Sequence, residues 1–162
     1  MFRSLAQGHH IAAQQDATAT TAGSTGGQQE QCASGSIHLL QAQAETAQAD
    51  ELRHAVCDEL LKRRNELYFF IDEDYDAYVT RMRQPRCWGG EPELAVATHV
   101  LQRPIAVFTK RAAQLALVSR YGNEEYNGKA EVPLFFHGAG HYDLLVQPYQ
   151  LAPAAPPPRS RL

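Results

Sequence analysis

The stretch Val132-Pro133-Leu134-Phe135-Phe136-His137-Gly138-Ala139-Gly140-His141-Tyr142-Asp143-Leu144-Leu145-Val146 places two apolar and aromatic runs on either side of a Gly-Ala-Gly link. A link that short between two such runs predicts a β-hairpin, with strands over 132–137 and 141–146. Upstream, Ile105 to Phe108 and Leu115 to Tyr121 read as two more strands, the second ended by Gly122-Asn123. Ahead of Pro104 the periodicity becomes helical. Leu52, Val56, Leu60 and Leu61 mark a helix from an N-cap at Asp50 to about Asn65, and Tyr75, Tyr78, Val79 and Met82 share a face of a second helix over 74–83. Trp88-Gly89-Gly90 breaks the pattern, and Pro92 opens a third helix with Leu94, Ala97, Val100 and Leu101 as its buried stripe. Helices followed by strands predict an α+β fold, its helices packed on a small, mostly antiparallel sheet.

Two segments depart from this pattern. From Ile11 to Ser36 the chain is built from Ala, Gln, Thr, Gly and Ser, with almost nothing to bury against its conformational entropy, and is expected to be a disordered insertion. Residues 37–49 remain rich in Gln and Ala and would tolerate a weak helix. The scheme is therefore a first helix over 1–10, a low-complexity insertion over 11–49, the body of the domain over 50–150, and a Pro-rich tail over 151–162. The tail holds Pro153 and Pro156 to Pro158; a plain solvated extension and a ligand for an SH3-like or WW-like groove are both open for it.

With 162 residues, 44% hydrophobic and 20% charged, the chain has room for one domain with a real core. A net charge of −3, with basic side chains spread among acids, gives no reason to expect nucleic acid or an anionic membrane as partner. No apolar run approaches the ~20 residues of a spanning helix. Cys32, Cys57 and Cys87 are odd in number and lack C-x-x-C spacing, which fits a reducing compartment, cytoplasmic or nuclear, and neither a disulfide framework nor a zinc knuckle. The seven histidines show no metal-hydrolase spacing, so no metal and no cofactor are expected. Asp72-Glu73-Asp74 lacks the glycine and spaced ligands of a calcium loop and reads as a helix cap.

Alternation along a strand puts His141 and Asp143 on one face and Tyr142 on the other. A carboxylate beside an imidazole can accept its N–H, fix its tautomer and stabilise the imidazolium, which is the orienting role in nucleophilic triads. Taken alone, a His near an Asp on a strand is more commonly a surface pair. The Trp88-Gly89-Gly90 corner, taken alone, is more commonly scaffold: glycines permit the turn and the indole pins it to the core.

Four blocks together resemble the ovarian-tumour (OTU) family of cysteine proteases. They are Phe2-Arg3-Ser4-Leu5-Ala6; Leu52-Arg53-x-x-Val56-x-x-x-Leu60; Tyr78-x-x-x-Met82 leading into Trp88-Gly89-Gly90-x-x-Glu93-Leu94; and Pro104-Ile105-x-Val107 with Gly140-His141-Tyr142-Asp143. The resemblance covers residues 1–8 and 50–147. It implies the papain-like α+β fold of that family and hydrolysis of isopeptide bonds in ubiquitin or polyubiquitin conjugates. By position, His141 is then the general base, Asp143 its orienting partner, and Trp88, Gly89 and Gly90 the corner beside the channel for the ubiquitin tail.

The family's nucleophile lies in Asp-Gly-x-Cys followed by an apolar residue, Phe and Arg. Met1 takes that apolar position, so the nucleophile and the loop resembling the family's oxyanion hole are expected ahead of residue 1. Cys32 sits in the insertion, Cys57 on the apolar side of a helix and Cys87 beside the corner, and none of them is expected to replace it. The chain from Met1 is expected to be inactive. The alternative is a non-catalytic ubiquitin-binding or scaffold module on a vestigial protease fold.

Overall fold

The computed structural model describes residues 1–20 and 34–146. The sheet is built around β1 (Ile105–Arg111), whose first four residues, Ile105 to Phe108, are all buried. An unbroken apolar run suits a strand with a neighbour on each side. β2 (Gln114–Tyr121) pairs antiparallel with one edge of β1, and β3 (Val132–Gly138) pairs parallel with the other. β4 (His141–Leu144) returns antiparallel on β3, giving the order β2-β1-β3-β4. The sheet is thus mixed, antiparallel except for its central pair. Leu117 and Val118 on the outer strand β2 are half exposed, as an edge position allows.

Helices cover the sheet. α1 (Phe2–Thr20) packs on α2 (Ser34–Lys62) and crosses β3 and β4. Gly8 permits that crossing: a Cβ there would stand 2.5 Å from Val132 Cγ1 and 2.7 Å from Leu144 Cδ1. Ser4 Oγ donates to the carbonyl of Tyr142 at 2.9 Å, tying the start of α1 to β4. α3 (Arg64–Leu67) and a 3-10 turn at Tyr68–Phe70 lead to α4 (Tyr75–Met82). The acidic turn caps α4 as expected, Asp74 accepting from the Ala77 amide at 2.8 Å. α5 (Glu91–Leu101) packs against α2. Leu5, Val56, Leu60, Met82, Leu94, Ile105, Val132 and Leu134 are the large, sealed side chains of the shared core.

Several boundaries differ from the sequence reading. α1 continues past His9-His10 to Thr20, and α2 begins at Ser34, so both ends of the supposed insertion are helical. Ala and Gln have high intrinsic helix propensity, and a segment attached to a packed helix is spared the cost of nucleation. Asp50 therefore stands inside α2 and caps nothing. Leu61, assigned to the buried stripe, is 40% exposed, because α2 contacts the core through the row Leu52, Val56, Leu60. In α5, Glu93, Val96 and Thr98 are buried beside Leu94, Ala97 and Leu101, so its covered face is broader than the apolar spacing indicates. Residues 21–33, with Cys32, and the tail over 151–162 lie outside the described residues.

Candidate active site

The β3–β4 link is tight because Gly138, Ala139 and Gly140 all take positive φ, at 92°, 48° and 80°. Beyond it, Tyr142 is buried while His141 and Asp143 project together into solvent, as strand alternation requires. Asp143 is shared. Its Oδ1 lies 3.3 Å from His141 Nε2, and its Oδ2 lies 2.7 Å from Nε2 of His137. The hydrogen bond from His137 is the main cause that holds the Asp143 carboxyl below the usual carboxylate range, with the charges of both imidazoles adding to it. Because His141 turns Nε2 toward the carboxylate, Nδ1 is the nitrogen left to accept a proton.

The sequence reading passed over His137 as the end of a strand. His137 stands two residues from Phe135, which pairs with Asp143, so strand alternation puts it on the side of Asp143, and its ring meets the edge of Phe135 at 4.6 Å. The signal was present: a three-residue link makes His137 and His141 the first flanking pair of the hairpin.

Opposite the hairpin stands the corner. Trp88 does not pin it to the core; the side chain is 63% exposed and turned toward the hairpin, its ring centroid 6.2 Å from that of His141. Gly140 makes room for the indole, since a Cβ there would come within 2.8 Å of Trp88 Cε3. Gly89 does the same for Met1, whose methyl would lie 2.2 Å from an added Cβ. What holds the corner is buried polar structure beneath it. The Gly90 amide donates to Glu93 Oε2 at 2.7 Å, the Tyr78 hydroxyl donates to Glu93 Oε1 at 2.5 Å, and Glu93 has no exposed surface. Burial first, and the Glu93 charge second, push the Tyr78 phenol far above its ordinary range, so it stays a donor. Arg53 donates to the carbonyls of Met82, Pro85 and Cys87 at 3.2, 3.1 and 2.9 Å and stacks over the Phe2 ring at 4.4 Å. Neither Arg53 nor Glu93 was singled out from the sequence, although both stand in the quoted blocks.

Between corner and hairpin lies a cleft of about 440 Å³ lined by Met1, Phe2, Arg53, Cys87, Trp88, Gly89, Gly140 and His141, with Pro85 and Arg86 at its side. Burial, and after it the Arg53 charge, lower the Met1 ammonium pKa, while the Asp143 carboxylate acts in the opposite sense. The start of α1, Arg53 and the Asp143 carboxylate are therefore electrostatic neighbours. Of the five residues assigned to the site, Trp88, Gly89 and His141 line the cleft, Asp143 contacts His141 outside that lining, and Gly90 lies beneath the corner on Glu93. Cys57 is sealed in the core and burial pushes its thiol up to about 11. Cys87 lines the cleft, but its sulfur contacts Arg81 Nη1 at 3.2 Å and Met82 Sδ at 3.4 Å. Among the described residues, no helix is long and apolar enough to cross a membrane.

Comparison with known proteins gives these features a context. A family profile described as OTU-like cysteine protease matches residues 31–143. Over 100 residues the chain is 47% identical to "OVARIAN TUMOR DOMAIN-containing deubiquitinating enzyme 4" of Arabidopsis thaliana, a match that takes in 60% of this chain and 31% of that enzyme. The chain thus spans about a third of that relative's length. Among solved structures, the OTU domain of OTUD1 superposes with a TM-score of 0.55 at 22% identity, covering 60% of this chain and 67% of that one. An OTU domain solved in complex with ubiquitin superposes at 0.50, also at 22% identity, over 59% and 53%. At that identity the two structures speak for the fold alone.

Proposed function

The chain belongs to the OTU-like cysteine protease family, and from that premise we propose that its cleft is the site of thiol-dependent hydrolysis of isopeptide bonds in ubiquitin conjugates. The observation that carries the proposal is the convergence of Met1, Trp88, Gly89, Gly140 and His141 on one cleft with Asp143 behind the imidazole. A thiol placed one residue ahead of Met1 would open into this cleft at the N-terminus of α1, where the helix dipole favours the thiolate. His141 Nδ1 takes the thiol proton, and the sulfur attacks the isopeptide carbonyl carbon. The imidazolium returns its proton to the leaving lysine amine as the C–N bond breaks. Water, deprotonated by the same nitrogen, then cleaves the thioester. Asp143 holds the ring by Nε2 and offsets its positive charge in both steps. Trp88, Gly89 and Gly140 line the cleft in which an extended, glycine-ended peptide tail would lie.

Cys57 is sealed in the core and the Cys87 sulfur, although in the cleft lining, is engaged by Arg81 and Met82, so residues 1–162 by themselves are expected to hydrolyse nothing. The same fact favours a second reading, in which these residues bind ubiquitin without cutting it. Purified 1–162 and the same chain preceded by Asp-Gly-x-Cys are to be compared on ubiquitin chains. We expect no cleavage by the first and cleavage by the second, abolished when its new cysteine becomes alanine. Cleavage by 1–162 itself, or none by the thiol-bearing chain, overturns the proposal. In the latter case, saturable ubiquitin binding to 1–162 would support the binding module.

A further inference from the structure

Asp143 faces two imidazoles, whereas a base and its orienting partner need only one. One donor atom from each of His137, His141 and Asp143 falls within 4.8 Å of the others, and all three side chains are open to solvent. A tetrahedral zinc ion with bonds of about 2.0–2.2 Å spaces its ligand atoms roughly 3.3–3.5 Å apart. The contacts of 2.7 and 3.3 Å run to the two oxygens of Asp143, and the three donor groups lie within 4.8 Å of one another. An ion therefore requires the shorter contact to open and the imidazole nitrogens to settle to that spacing. Phe135 meets the His137 ring with centroids 4.6 Å apart, and Trp88 stands beside His141 at 6.2 Å. Two imidazole nitrogens and one carboxylate suit a borderline ion such as Zn²⁺, whereas Mg²⁺ and Ca²⁺ require oxygen ligands.

We propose that His137, His141 and Asp143 form a zinc-binding site in which water completes the coordination, and that the bound ion reversibly blocks the base. The blocking rests on the function proposed above; the binding does not. Zn²⁺ takes the lone pair of His141 Nε2. A neutral imidazole has one other nitrogen, which must then carry the ring proton. Nδ1 no longer has a lone pair for the thiol proton, and Asp143 is drawn from orienting the ring to ligating the ion. No electron is transferred, and removal of the ion restores the base. His137 is the residue that distinguishes this site, because the orienting pair does not need it.

Zn²⁺ is to be titrated into the 162-residue chain by calorimetry in a thiol-free reductant, with the imidazole nitrogens followed by NMR. The expected result is saturable binding that shifts the Nε2 signals of His137 and His141 together. Affinity should fall at least ~10-fold in both His137→Ala and His137→Gln, since loss of a direct ligand costs no less than loss of its supporting contacts. Zinc that leaves both signals unmoved, or binds the variants as tightly as the wild type, overturns the site and assigns the ion to other histidines or thiols. The two proposals fail separately. Shifted imidazoles with no hydrolysis by the thiol-bearing chain would sink the catalytic reading alone, and hydrolysis with unmoved imidazoles would sink the zinc site alone.

Discussion

The molecule carries two polar clusters beside one cleft, one under the Trp88-Gly89-Gly90 corner and one on the hairpin facing it. Arg53 and Glu93 are 7% and 0% exposed, and their charged ends are spent on the carbonyls of 82–87, the Gly90 amide and the Tyr78 hydroxyl. His137, His141 and Asp143 are exposed and bonded mainly to one another. A buried charge must be matched almost completely or the fold suffers, so the lower cluster gives its donors and acceptors to the fold, with Arg53 Nε the one buried atom among them left without a partner. An exposed cluster contributes little to folding and keeps its lone pairs for chemistry. Architecture and reactivity are thus divided between neighbouring groups, with the corner as the boundary.

The buried side of this division should show the largest effect. Glu93→Ala leaves the Gly90 amide and the Tyr78 hydroxyl without an acceptor inside the protein, and should cost about 3 kcal/mol in urea unfolding. Glu93→Gln keeps one carbonyl oxygen and should recover part of that loss. A cost below about 1 kcal/mol for the alanine variant would mean that solvent reaches the corner, and the contrast between the clusters would fail.

At the boundary the effect should be intermediate. Gly140 holds φ at 80° and lies under the Trp88 ring, so Gly140→Ala adds left-handed strain and a 2.8 Å clash. We expect a loss of about 1–2 kcal/mol. Trp88 is the single tryptophan of the chain, so its fluorescence reports the displacement directly. Unchanged emission together with unchanged stability would show that the indole does not rest on the hairpin.

The same division explains what could be read from the sequence. Alternation along 132–146 and the helical rows Leu52-Val56-Leu60 and Tyr75-Val79-Met82 were legible because burial imposes a period on apolar residues. His141 and Asp143 were legible as a pair because strand geometry alone puts them on one face. His137 could be read by the same alternation, two residues from Phe135 and next to the three-residue link, but the sequence reading treats it only as the end of its strand. Arg53 and Glu93 stood in the quoted blocks without a role, since burial of a charge is decided by which distant carbonyls and amides reach it. Trp88 was assigned inward on composition, but the space it fills was made by Gly140, 52 residues away. The helical extension over 11–20 was hidden by a composition that signals low burial and carries high helix propensity at the same time.

The smallest stability effect should belong to Asp143, which the proposed chemistry uses to orient the base. Asp143→Ala removes both imidazole contacts, yet every group it frees can turn to water, and exposed pairs of this kind contribute about 0–1 kcal/mol. Unfolding should shift by less than about 0.5 kcal/mol, within the range of surface substitutions. What should change is the His141 ring, which loses the acceptor that keeps its proton on Nε2 and should sample both tautomers by imidazole ¹⁵N NMR. A stability loss near that of Glu93→Ala would place Asp143 in the scaffold. An unchanged tautomer would show that something other than Asp143 orients His141. If stability holds while the tautomer is lost, the hairpin is a platform whose fold does not depend on the groups it presents, and a nucleophile, a metal ion or a substituted side chain can be exchanged there at little cost to the structure beneath.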